Sequence, residues 1–228
     1  MKHAGKATRA ALKLIYWALF CLLAMAMAGS LARILGALIV YVAGGLFVLW
    51  VLFGLFCLYF FRDTNPAIPT ARGLILAPAH GTVDVIDEVD EYDFIGGKCR
   101  RISIFLSVFD VHIQRSPIAG RVVICRHTPG QFLNAMRVDS AVHNENVLIG
   151  FESTERPGEK IGIRLIAGLI ARRIVPWVKP GDSVARGDRV SLIQFGSRCD
   201  VYVPLGATVC VRLKDRVKGG ETVLAKAG

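Results

Sequence analysis

Residues 1–61 contain neither aspartate nor glutamate, and their only charges are Lys2, Lys6, Arg9, Lys13 and Arg33. Cysteine is sparse and scattered: Cys21, Cys57, Cys99, Cys125, Cys199 and Cys210 form no C-x-x-C pair. That excludes the usual zinc spacings and a thioredoxin-type site, so no metal is expected. Isolated cysteines with apolar neighbours fit a reducing compartment and a structural role. No stripe of alternating aromatic and basic residues occurs, and no helix-turn-helix or zinc-finger spacing, so nucleic acid is not an expected partner.

What fills the acid-free region is apolar. Leu14 to Ala32 is uncharged, and so is Ile34 to Phe61, a run of 28 residues. The second run exceeds the ~20 residues that cross a bilayer. The pattern suggests a helical hairpin, about 14–32 and 34–61, turning near Gly29-Ser30 with Arg33 at the far surface. The alternative is one long tilted span behind an interfacial segment. A cleaved signal peptide has a much shorter apolar region. Positive charges precede the first run, and Arg62 and Arg72 follow the second. Basic flanks stay on the cytoplasmic side, which places residues 62–228 at the cytoplasmic face of the inner membrane. That part carries 23 basic and 18 acidic side chains. A modest positive excess beside a bilayer suits an anionic head group.

After a linker holding Pro66 and Pro69, which stop a helix, the chain reads mainly as β. Strands are expected at Gly73–Pro78, Thr82–Val89, Arg101–Val108, Arg121–Arg126, Val147–Glu152, Ile161–Ile174 and Val190–Phe195, with a short turn or loop at Gln131–Met136. Along Thr82–Val89, Val83 and Val85 are expected on one face, Asp84 and Ile86 on the other. Near the C-terminus, Val178-Lys-Pro-Gly-Asp-Ser-Val184 is echoed by Val217-Lys-Gly-Gly-Glu-Thr-Val223. Such glycine turns recur in β-barrels and sandwich hybrids. Lipoyl-type carrier domains share the rhythm, but the Met-Lys-Met of a carrier is missing. The expected fold is therefore mainly β, sandwich- or barrel-like, with a lipoyl-hybrid rhythm in its C-terminal part and a transmembrane hairpin in front.

The most informative feature is Phe195-Gly196-Ser197-Arg198, at the end of an apolar strand. A serine hydroxyl can attack the carbonyl of the preceding glycine. The ester that forms undergoes β-elimination to dehydroalanine, which hydrolyses to a pyruvoyl group. A pyruvoyl carbonyl captures amines and acts as an electron sink. Gly-Ser on its own is commonly only a turn.

Several segments together resemble the short, membrane-attached phosphatidylserine decarboxylases. They are Phe60-Phe61-Arg62-Asp63, Pro78-Ala79-x-Gly81, Arg101 to Pro117 with His112 and Arg115, Ile166 to Ile174, and Phe195 to Arg198, in family order. The resemblance implies self-cleavage between Gly196 and Ser197. The products would be a β chain of residues 1–196 and an α chain of residues 197–228, with Ser197 converted to a covalent pyruvoyl cofactor. It further implies decarboxylation of phosphatidylserine to phosphatidylethanolamine on a membrane phospholipid substrate, and family precedent points to a homodimer. His112 matches a family histidine that binds the substrate carboxylate or returns the proton. Arg115 stands where longer forms have a second histidine and is a candidate for the phosphate. Arg172 is a second candidate substrate contact, since Arg172 and Arg173 on a strand face opposite ways.

One position departs from the family: His80 replaces the aspartate of Pro-Ala-Asp-Gly. Three outcomes are open. His80 itself deprotonates Ser197, or Asp84 or Asp110 supplies the missing carboxylate, or processing is lost and the protein is a lipid-binding relative. A membrane-anchored lipoyl-like adaptor is a further alternative, resting only on the glycine rhythm.

Overall fold

The computed structural model describes residues 6–132, 143–168, 173–194 and 197–228. It separates into two units, one ending at Cys57 and one running from Leu58 to Gly228.

The first unit belongs to a single helix, α1, Lys6–Phe60. The expected hairpin is not formed: the helix runs straight through Gly29-Ser30. The physical reason is that nothing there breaks a helix. The first proline of the chain is Pro66, no glycine of the helix has a positive φ, and Ser30 Oγ donates back to the Ala26 carbonyl at 2.9 Å, within the helix. Leu12–Phe60 has a mean hydropathy of 2.5 at its most apolar and is long and apolar enough to cross a membrane. At 1.5 Å per residue, 55 residues extend to about 82 Å, far beyond a ~30 Å hydrocarbon core. From Leu12 to Leu55 its large apolar side chains are exposed on every side, as expected of a helix whose solvent is lipid.

The second unit is antiparallel β. In chain order the strands are β1 Leu74–Leu76, β2 Gly81–Glu91, β3 Gly97–Leu106, β4 Ile113–Arg115, β5 Gly120–Thr128, β6 Asn146–Ser153 and β7 Lys160–Ala167. They continue with β8 Arg173–Pro176, β9 Ser183–Val184, β10 Arg189–Gln194, β11 Ser197–Val203, β12 Thr208–Val209, β13 Arg216–Val217 and β14 Val223–Lys226. A curled eight-stranded sheet has the order β13-β2-β3-β11-β7-β6-β5-β9, and two smaller sheets run β4-β10-β8 and β1-β14-β12. Each expected strand falls on an observed one, except that Ile161–Ile174 is divided between β7 and β8. The Gln131–Met136 expectation lies mostly outside the described residues.

Strand β11 is the centre of the sheet. It pairs with β3 on one side and β7 on the other, and all seven of its residues are buried. Cys199, Val201 and Val203 enter the main core with Ile102, Ile104, Ile163 and Leu165. Tyr202 points to the opposite face and packs on Phe94, Cys99 and Leu148. Each fully buried aliphatic side chain contributes roughly 1.5–3 kcal/mol, so the segment from Ser197 onward is held by its own core residues as well as by its backbone continuity.

The alternation expected in Thr82–Val89 breaks at one point. A register shift between Val83 and Val85 leaves Asp84 as the extra residue of a bulge. Beyond it the phase reverses, so Ile86, not Val85, packs on the core. The C-terminal echo is a repeated turn. Asp182 N donates to Lys179 O and Glu221 N to Lys218 O, each at 3.1 Å, and Gly181 and Gly220 occupy matching positions with φ of 100° and 81°.

Candidate active site

The strand register aligns one end of the large sheet. Val217 of β13 faces Gly81 of β2, Thr82 faces Phe105 of β3, and Ser197 of β11 faces both Leu106 of β3 and Ala167 of β7. Gly81, Leu106, Ser197 and Ala167 therefore lie in one row across neighbouring strands. At ~4.8 Å per strand, the backbone of Gly81 is ~10 Å from that of Ser197. Gly81 is required for the close fit: a Cβ there would stand 2.2 Å from the Phe105 carbonyl oxygen.

Ser197 is fully buried, and its Oγ has no hydrogen-bond partner among the described residues. Gly196 and Phe195 lie outside the described residues, as does Arg172.

His80 ends the turn that leads into β2. That turn is gripped by three backbone bonds: Ala77 N to Thr222 O at 2.8 Å, Gly220 N to Ala77 O at 2.8 Å and Arg115 N to Pro78 O at 2.7 Å. The His80 Nε2 is buried and has no partner among the described residues. Burial lowers the His80 pKa below 6.5, against the raising influence of Asp110. The imidazole is therefore neutral at pH 7.

His112 is fully buried just before β4. Its carbonyl accepts from Ile193 N of β10 at 3.1 Å, on the strand that leads to Ser197. Its Nδ1 is 2.8 Å from the Asp110 carbonyl oxygen. Since a carbonyl only accepts, Nδ1 carries the proton, and the lone pair sits on Nε2. The ring lies against Phe60 at 4.2 Å between centroids. Burial pushes its pKa down to about 4. His112 therefore enters any reaction at neutral pH uncharged.

Asp110 joins these parts. It is buried, yet its carboxylate accepts from Ser107 N and Ser107 Oγ, both at 2.8 Å, and from Arg216 Nη2 at 2.6 Å. Burial opposes ionisation, but the bonds from Arg216 and Ser107 outweigh it and leave the pKa lowered. Asp84 is engaged elsewhere, by Arg198.

Arg115 is not placed to hold a phosphate. Its guanidinium donates to the Gly187 carbonyl at 2.9 Å, to Asp63 at 3.2 Å and to the Thr64 carbonyl. It is buried and ties the Asp63–Thr64 linker to β4. The unassigned cations are instead Arg62, Arg216 and Lys218, which line a cavity of about 450 Å³ together with His80, Tyr59 and Phe109. No local pattern marks them, because they come from distant parts of the chain: Arg62 is held at the Phe109 carbonyl, while β13 brings Arg216 beside Thr82 of β2. The one sequence cue was Arg62, inside the Phe-Phe-Arg-Asp segment. Among the described residues, no group of three or more His, Cys, Asp or Glu side chains could hold a metal.

The family model described as phosphatidylserine decarboxylase matches residues 53–225 of this chain, the span that contains all of these groups. The chain belongs to the phosphatidylserine decarboxylase family. Phosphatidylserine decarboxylase proenzyme of Desulfotalea psychrophila is 45% identical over 171 residues, 75% of this chain and 79% of its own length. The proenzyme of Symbiobacterium thermophilum is 43% identical over 197 residues, 84% and 91% of the two chains. That of Zymomonas mobilis is 43% identical over 208 residues, 87% and 83%. The decarboxylase family thus extends across the whole β unit and into the end of α1.

Proposed function

We propose that this protein is a self-processing phosphatidylserine decarboxylase whose precursor is cut between Gly196 and Ser197. The observation that carries the reading is Ser197. It is a buried serine whose Oγ has no partner among the described residues, at the first position of a strand locked on both sides, in a chain similar to proteins named as proenzymes.

His80 takes the place of the family aspartate by acting as the base. A neutral imidazole whose buried Nε2 has no partner among the described residues can accept a proton, where a carboxylate in that position would do the same work with a charge. The backbones of Gly81, next to His80, and Ser197 are ~10 Å apart, so the imidazole reaches the serine hydroxyl only if both side chains turn towards each other when the precursor reacts. The Ser197 oxygen, freed of its proton, attacks the Gly196 carbonyl carbon. The peptide C–N bond breaks as protonated His80 returns that proton to the departing nitrogen, leaving an ester and a free amine. Loss of the Ser197 Cα proton then expels the Gly196 carboxylate from Cβ, and water releases the nitrogen as ammonia.

A pyruvoyl group fits the residue's position. It keeps the α- and β-carbons and carbonyl of Ser197, needs no added volume, and leaves residues 197–228 paired with β1, β2, β3 and β7. When formed, this ketone supplies the electrophile that captures the lipid's serine amine and the sink for the electron pair as carbon dioxide leaves. His112, neutral with its lone pair on Nε2, takes up a proton and returns it to the α-carbon of the product. Asp110 fixes the His112 tautomer through its carbonyl and lends its charge to the His80 environment.

Helix α1 keeps the enzyme at the membrane that holds its substrate. The basic residues before and after the apolar run favour a cytoplasmic β unit at the inner membrane. The direct test is conversion of phosphatidylserine to phosphatidylethanolamine by membranes bearing the protein, with none from Ser197→Ala.

A further inference from the structure

We infer that Arg62 and Lys218 hold the phosphodiester of the substrate lipid in the cavity beside His80. This rests on the decarboxylase reading above and assigns the part of the site that recognises the head group.

The argument begins with charge. The cavity wall contains three cations, Arg62, Arg216 and Lys218, and one carboxylate, Asp110. Arg216 is matched to that carboxylate and also donates to Thr82 Oγ1 at 3.2 Å. Arg62 has no carboxylate partner among the described residues. It donates to the Tyr59 and Phe109 carbonyls, each at 2.7 Å, and lies over the Tyr59 ring at 4.0 Å. Among the described residues Lys218 pairs with Glu221, 3.5 Å away near the surface, an interaction of little strength. Two positive charges therefore face one cavity without a buried counter-charge, and the deeper Arg115 is already engaged.

The shape agrees with the charge. About 450 Å³ is the size of a small-molecule site. Its exposed aromatics, Tyr59 and Phe109, offer an apolar edge on which glycerol and the first acyl carbons can lie. Free phosphate would have no use for that edge. Tyr59 lies near the end of the apolar run and Arg62 directly follows it, where aromatic and basic side chains sit at head-group depth.

Placement agrees as well. His80 is in the same wall. Val217, next to Lys218, faces Gly81, and the sheet row continues through β3 to Ser197. Three strand spacings, ~14 Å, separate Val217 from Ser197. A lysine side chain and an extended serine phosphate together bridge that gap. Lys218 and Ser197 also both belong to residues 197–228, so the small chain carries the electrophile and one phosphate contact together.

The test uses the full-length Ser197→Ala precursor in phosphatidylcholine nanodiscs, so that binding is read without chemistry. Water-soluble glycerophosphoserine and inorganic phosphate are titrated separately by calorimetry. Lys218→Gln and Arg62→Gln should each raise the glycerophosphoserine Kd about tenfold, the loss of one charge-assisted contact. Lys179→Gln, the exposed lysine of the equivalent turn, should leave it unchanged. Inorganic phosphate should bind more weakly than glycerophosphoserine. Unaltered affinity in both Lys218→Gln and Arg62→Gln overturns the inference, and so does equal affinity for the two ligands, which would mark a general anion site. Lys218 is exposed, so its variant remains informative if Arg62→Gln fails to fold. A wild-type chain that is never cut would remove the decarboxylase reading while leaving this binding result to stand or fall alone.

Discussion

Arg198 reaches past β3 to bond the carboxylate of Asp84, the bulged residue of β2. The bulge is what frees Asp84 to be there, since in regular register it would have paired along β3. The ion pair fastens the residue after Ser197 to the strand that follows His80, so the two halves of the proposed cleavage site are held in fixed relation.

The pair is unequal, and its mutants should be too. Arg198 is buried and its Nε has no partner among the described residues, whereas the Asp84 side chain is 29% exposed. Asp84→Ala strands a buried cation and should cost about 3–5 kcal/mol. Arg198→Met leaves a carboxylate that can rehydrate and should cost clearly less. Thermal unfolding of the two proteins in nanodiscs gives the order, and the reverse order would contradict the assigned burial.

Gly81→Ala should stop processing without touching a reactive group. The added methyl meets the Phe105 carbonyl oxygen at 2.2 Å, and backbone has to move at the row that contains Ser197. A displacement of ~1 Å at a reacting site costs about 100-fold. Precursor should accumulate on a gel, and processing at the wild-type rate would show that the row does not position the reaction.

His80 gives a sign-specific pH dependence. Burial holds its pKa below 6.5, so the basic form persists from alkaline pH down past 6.5 and is lost only in more acid solution. The rate of precursor loss should be the same at pH 8 and pH 7 and fall only below pH 6.5. His80→Ala should slow it by about 100-fold or more. A rate that halves between pH 7 and 8 would point to another base.

The residues proposed for the reaction could be picked out because they stand in short contiguous motifs. Ser197, His80 and His112 stand in such motifs, and the strands around them alternate clearly enough to be read. Arg115 was misjudged because its motif position says nothing of Asp63 and Gly187, which reach it from distant parts of the chain. That Arg62, Arg216 and Lys218 line one cavity was hidden for the same reason. The bulge at Asp84 inserts one residue without any glycine or proline to announce it, so the strand's later phase was read wrongly. The hairpin failed because Arg33 and Gly29-Ser30 only weaken a helix, and neither breaks one.

His112 makes stability depend on acid. Its pKa is lower folded, about 4, than unfolded, ~6.5. Below pH 6.5 the unfolded chain binds a proton that the folded chain refuses. Stability is therefore fully present above pH 6.5 and declines as pH falls towards 4, by about 3 kcal/mol from this residue. His112→Gln should unfold at nearly the same temperature as itself between pH 7 and 5, apart from losses shared with wild type. An equal acid sensitivity in both proteins would remove His112 as the cause.

The central claim is that Ser197 becomes the new N-terminus of a small chain. Intact-mass measurement of the purified full-length protein tests it most directly. The expected result is two species, residues 1–196 and residues 197–228, the smaller lighter than its encoded mass by the difference between serine and a pyruvoyl group and reducible by borohydride in the presence of an amine. A single species at 24.8 kDa after prolonged incubation would contradict it.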